Sequence, residues 1–288
     1  MWFWYGFAAA GVGAVSIIIN KRALGEVSAR VLTLALFTVS IPFLLILAVS
    51  SGVPHLNAAF FIGVIGSSLA FVVAKTITNE SIKQSLLSHI FPLTAFGSLF
   101  TYVLGVLFLS EYLTMPAVIG LVTVALGAYM LNAQSAREDI LKPFRLLLTD
   151  RHSFLYILAM FLAALSSIFD KVAVRSISSA GVLWTLLGEN VIMSALLILN
   201  LRRTETHWTR GFRRHFGILF MAGMVYAGLA YLVLSGFLVG PVALVTGIKR
   251  LQIVFVLLLS HVLLGDRATK HVWLGTLIMI AGVVLLRL

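Results

Sequence analysis

Ten apolar stretches leave this chain few ways to fold. They run at about 2–20, 29–49, 58–74, 84–109 and 116–131, then 154–174, 181–199, 216–236, 241–264 and 272–286. About 20 apolar residues rising ~1.5 Å each cover the ~30 Å hydrocarbon core of a bilayer. Backbone polar groups at that depth must bond within their own segment, which selects helices. The expected fold class is an all-α polytopic membrane protein with ten transmembrane helices.

Composition agrees. Of 288 residues, 60% are hydrophobic and 11% charged, with a mean hydropathy of +1.07. A soluble domain is nearer 45–50% apolar and about 25% charged. No long polar block exists to form a soluble enzyme on an anchor. The net charge of +11 does not point to nucleic acid. Most Lys and Arg lie in short gaps between apolar runs, where cytoplasmic loops and anionic headgroups explain them. The expected partners are the bilayer and a small-molecule substrate. Cysteine is absent, which excludes disulfides and thiol chemistry. Met1 leads into WFWYGFAAAG without a basic stretch, so no cleaved signal peptide is expected.

Two halves follow from repetition. AVSIIINKRAL (14–24) matches ALSSIFDKVAV (164–174) at five of eleven positions. The stretch 108–131 aligns with 263–286, placing Glu111 on Asp266, Gly120 on Gly275 and Gly127 on Gly282. The expected domains are a first five-helix repeat (1–132), a basic interfacial linker (133–153) and a second repeat (154–288). An odd number of spans per copy makes the repeats inverted, with a substrate site between them near the midplane. The odd-numbered connections carry sixteen Lys and Arg, and the even ones with the C-terminal end carry three. The positive-inside rule then puts the odd connections in the cytoplasm and both termini outside.

Several charges fall inside apolar spans. Lys249 and Arg250 sit side by side in span nine. Cations at mid-membrane cost at least ~2.5–3.5 kcal/mol each on insertion scales, unless they face a wet cavity or a partner. The pair reads as a site for an anionic or zwitterionic group, or as a structural ion pair. Glu189–Asn190, central in span seven, offers a counter-charge or a proton site. Asn20–Lys21 and Asp170–Lys171 end spans one and six at matched positions, as cavity-mouth groups or as snorkelling lysines. His89 in span four is a packing residue or a relay, and Lys75 is expected to close span three and snorkel. Glu111 and Asp266 are expected to cap the helices that follow them. The paired glycines permit close helix approach, between repeats or in a homodimer.

The closing pattern of each half (LSE-YLT…G…G and LGD-RAT…G…G), with the lysine ending spans one and six, resembles the EamA family of the drug/metabolite transporter superfamily. The resemblance implies a 5+5 inverted-repeat fold around a central cavity, with spans five and ten packed at the side. It implies carriage of small metabolites, and both termini inside, against the charge count. Family members commonly have a proline in spans four and nine. Here Pro92 lies 19 residues before Glu111, and span nine has Lys249–Arg250 instead.

No HExxH, Walker loop or Gly-flanked nucleophilic serine appears in the sequence, so no enzyme, metal or cofactor is expected. The functional expectation is a gradient-driven transporter in the cell (inner or plasma) membrane. It would work by alternating access on a small polar, anionic or zwitterionic metabolite, as an exporter or exchanger. A flippase for a lipid-linked anionic sugar, and a membrane enzyme or assembly factor for lipid precursors, are the alternatives.

Overall fold

The computed structural model describes residues 1–83, 95–132, 151–177, 180–205, 208–264 and 270–287. His89, Pro92, Asp266 and the linker core lie outside the described residues. All regular structure among the described residues is helical. In the first half these are α1 (Trp2–Glu26), α2 (Ala29–Thr38), α3 (Ile41–Ser50), α4 (Ala58–Lys83), α5 (Ala95–Leu109) and α6 (Met115–Asn132). In the second they are α7 (Arg151–Ser176), α8 (Gly181–Thr204), α9 (Trp208–Arg214), α10 (Phe216–Val239), α11 (Val242–Lys249), α12 (Gln252–Leu264) and α13 (Lys270–Leu286).

Seven of the described helical segments are long and apolar enough to cross a membrane, and 97–109, 115–130 and 273–286 are shorter apolar helices. The chain is a multi-pass helical membrane protein. Large apolar side chains such as Ile46, Ile62, Leu107 and Leu277 stand exposed on the outside, where lipid would meet them.

Two spans are interrupted rather than continuous. In the second, α2 gives way to α3 at Val39–Ser40, because Pro42 follows at the second position of α3. Proline there lacks an N–H, and its ring opposes the carbonyl four residues back. The Asn190 amide donates to the Ser40 hydroxyl (3.0 Å), and Thr38 to Ser194 (2.8 Å), so side chains of α8 brace the break on both sides. Span nine was expected as one helix and is two. A tight turn at 249–251 separates α11 from α12, with Leu251 N–H on the Ile248 carbonyl at 2.9 Å.

Span three departs the other way. The expected end at residue 74 is too early, because α4 continues past Lys75 to Lys83. Polar residues from Thr76 onward lowered the hydropathy without ending the helix. Thr76 and Thr78 return their hydroxyls to the carbonyls of Val72 and Ala74, inside the same helix.

Packing joins the halves at several places. Gly63 of α4 lies so close to α7 that an added Cβ would sit 2.7 Å from the Ala173 nitrogen and 2.8 Å from the Phe169 carbonyl. The last helices of the two halves, α6 and α13, meet through Gly120, Gly127, Gly275 and Gly282. A third cluster closes one end, where Leu24, Leu32, Phe37, Leu201 and Leu219 are buried and Trp208 and Phe212 of α9 rest on them. There Ser28 caps α2 by accepting from Val31 N–H (3.2 Å) and donates to Glu205 (2.9 Å). Trp208 is thus a packing residue of this cluster as well as a terminal aromatic.

Candidate functional site

A cavity of about 240 Å³ lies between the two halves. Its walls come from α1, α4, α5, α7, α10 and the junction of α11 with α12. It occupies the centre of the bundle and the half nearest the basic connections, since Asn20, Lys75 and Thr78 line it from helices running that way.

Three cations face it: Lys75, Lys249 and Arg250. Arg250 caps the end of α11, with its N–H on the Gly247 carbonyl, so the turn presents both members of the pair near the cavity. Its Nε donates to the Ser98 hydroxyl at 3.1 Å, and Gly97 leaves room for the guanidinium. Lys75 Nζ stands 5.5 Å from the centre of the Tyr226 ring. Among the described residues none of the three has a carboxylate within salt-bridge distance. The bland alternative for Lys249–Arg250, a structural ion pair, is therefore not formed among them. Tyr156, Gln252 and Thr101 supply further polar groups to the wall. Asn20 belongs here too, buried, with its amide nitrogen toward Ser16 and its carbonyl oxygen unpartnered.

The remaining expected site residues lie elsewhere. Glu189 does not pair with Lys249 or Arg250. It is buried near Asp170 of α7, and its Oε1 has no partner. Ser67 of α4 donates to Asp170 and lies 3.0 Å from Ser166. Asn190 serves the broken second span, as described, and does not line the cavity.

Lys171 is 1% exposed and forms an ion pair with Glu111. It also donates to the Gly240 carbonyl at 2.6 Å, while Glu111 accepts the Val242 N–H at 2.8 Å. These contacts clamp the end of the bundle opposite the basic connections. Glu111 was expected to cap its own following helix, and instead it caps α11, 131 residues on. Lys21, matched to Lys171 in sequence, is exposed.

Sequence reasoning took Lys75 for a snorkelling residue at the end of span three, whereas it lines the cavity within α4, and it passed over Tyr226. The signal was present: Phe71, Lys75 and Thr78 are spaced i, i+4, i+7, which puts them on one helix face. Reading past the hydropathy drop would have carried that face into the cavity.

Residues 151–288 match the profile of the EamA-like transporter family. The chain carries an EamA domain. That domain spans α7 to α13 and so contains Lys249, Arg250, Asp170 and Glu189. A solved crystal structure shares the fold, with a TM-score of 0.74 over 99% of this chain and 95% of the other, at 13% identity. The likeness therefore extends over the half before the EamA domain as well. No curated protein matches the chain.

Proposed function

We propose that this protein is a secondary transporter that carries a small organic anion through the central cavity by alternating access. One observation carries the reading: Lys75, Lys249 and Arg250 converge on one cavity with no carboxylate paired to any of them among the described residues. Cations so placed are costly in a bilayer and become stable when an anion occupies the space. A phosphate or carboxylate suits them, since guanidinium binds both through paired N–H donors. The broken span nine supports the same reading, because discontinuous helices build midplane sites in secondary transporters. The apolar part of the wall, with Phe71, Met160 and Leu229, would take the carbon skeleton.

The architecture we propose is ten spans in two inverted repeats. Support comes from the matched stretches 14–24 and 164–174, which fall in α1 and α7, and from the packing of α6 on α13 through aligned glycines. The protein would sit in the cell membrane with the basic connections in the cytoplasm. The clamped end would then face outward. Since the glycine faces are spent inside the chain, a homodimer would use another surface.

The test is a thermal-shift screen of purified protein against amino acids, organic acids, sugar phosphates and nucleotide sugars. A ligand that binds only the folded state adds ~2.7 kcal/mol at 100 times its Kd, a readable shift. The expected result is a phosphate- or carboxylate-bearing hit that is lost in both Lys249→Ala and Arg250→Ala. Flux of that hit into proteoliposomes should fall at least tenfold in Arg250→Ala, since a charged contact to a buried anion is worth about 1.5–3 kcal/mol. Normal flux in both variants would remove the site. Binding only of lipid-linked anionic sugars would turn the reading toward a flippase.

A further inference from the structure

The buried acid pair beside the cavity has no part in anion recognition. We propose that Asp170 and Glu189 bind a proton that travels with the anion held at Lys249, making the protein a proton–anion symporter. This rests on the anion site described above.

Three helices build the pair. Ser67 of α4 hydrogen-bonds Asp170 and meets Ser166 of α7, while α8 brings Glu189 near Asp170. Ionised carboxylates only accept hydrogen bonds, so Asp170 and Glu189 can bond each other only when one of them carries a proton. Two like charges held near each other in a low-dielectric interior do not both persist. Glu189 is 5% exposed with Oε1 unpartnered, and Thr185, one turn earlier on α8, is fully buried with its hydroxyl unpartnered. The pair thus keeps unused capacity that packing alone does not explain.

Its electrical neighbours connect it to the cavity. Lys249 of α11 is the cation whose field reaches Asp170, and the Tyr226 phenol of α10 lies in the field of both acids. Lys75 of α4 sits over the Tyr226 ring. On α7 itself, Lys171 is committed to Glu111 and Arg175 is exposed. The described parts of α2, α3 and α5 bring no charged side chain to the pair.

The coupling has a definite sign. With the cavity empty, Lys249 offsets negative charge on the pair. An anion that arrives at Lys249 takes over that offset and adds negative charge nearby, so the pair holds its proton more tightly. By reciprocity a proton on the pair strengthens anion binding by the same factor, typically about 5–150-fold for coupled sites. Anion and proton are then bound together and released together. The loaded cavity carries less net charge across the membrane than the anion alone would bring.

Two measurements on the purified full chain test this, with sulfate as the probe because it brings no proton of its own near neutral pH. Infrared spectra should show a protonated carboxyl C=O band at neutral pH that is lost or shifted in Glu189→Gln and in Asp170→Asn. Absence of that band in the wild type would overturn the proton site, whatever the anion site does. In weakly buffered solution at a pH high enough to weaken that band, sulfate should restore it with proton uptake by the wild type, its affinity falling by up to about tenfold per pH unit there. Glu189→Gln should bind sulfate without proton uptake, and Lys249→Ala should not bind it. Sulfate binding without proton uptake in the wild type would overturn symport and leave the anion site standing. No sulfate binding in the wild type, with the band present, would instead overturn the anion site and symport with it.

Discussion

Lys171→Met is expected to destabilise the protein by about 3–5 kcal/mol, the usual cost of removing one partner from a buried ion pair. The lysine is 1% exposed and bridges Glu111 to the Gly240 carbonyl, so its loss strands a carboxylate that is itself nearly enclosed. Glu111→Gln should do comparable damage by stranding the ammonium. The double variant should recover much of either loss, because what hurts is the uncompensated charge and not the missing attraction. Lys21→Met provides the control. That lysine is matched in sequence but exposed, and a surface change of this kind shifts stability by about ±0.5 kcal/mol. Thermal unfolding in detergent reads all four. Equal shifts for Lys171→Met and Lys21→Met would show that the clamp carries no particular weight.

The contrast between these lysines also shows what the sequence could and could not reveal. Hydropathy located the apolar helices, though not all their ends, since membrane crossing imposes its pattern locally. Internal matching paired Lys21 with Lys171, and Asn20 with Asp170, by their register in the two stretches. Neither signal reports partners distant in the chain. Glu111 lies 60 residues from Lys171, in a connection that reads like an ordinary helix start. Glu189 and Asp170 repel on paper, and nothing local announces that α4 brings Ser67 between their helices. The sequence therefore placed Lys249 and Arg250 in an unusual span and left their exposure open. Span nine also broke without a proline to mark it. Only Gly247, against Leu121 and Leu286, is a weak helix former beside the turn.

Gly120→Val should be the most damaging change on the contact between the ends of the two halves. A Cβ at Gly120 would lie 2.7 Å from the Gly282 carbonyl oxygen and 2.8 Å from the Leu286 nitrogen. Both are backbone atoms, so no rotamer change relieves the clash and α6 must move away from α13. Overpacking of this kind costs about 1–3 kcal/mol, and more where backbone must shift. Gly282→Val meets the Val124 nitrogen at 2.6 Å and should behave alike. Gly11 of α1 has nothing within 4 Å of its added Cβ, so Gly11→Ala should instead stabilise by about 0.5–1 kcal/mol through helix propensity. Unfolding temperature should separate the three, and light scattering should find the same oligomeric state in all of them. A changed oligomeric state in Gly120→Val, with unfolding unaltered, would instead mean that these glycines face a second copy. The opposite result ties the glycine pattern to the seam inside one chain, where the two end helices hold the halves together.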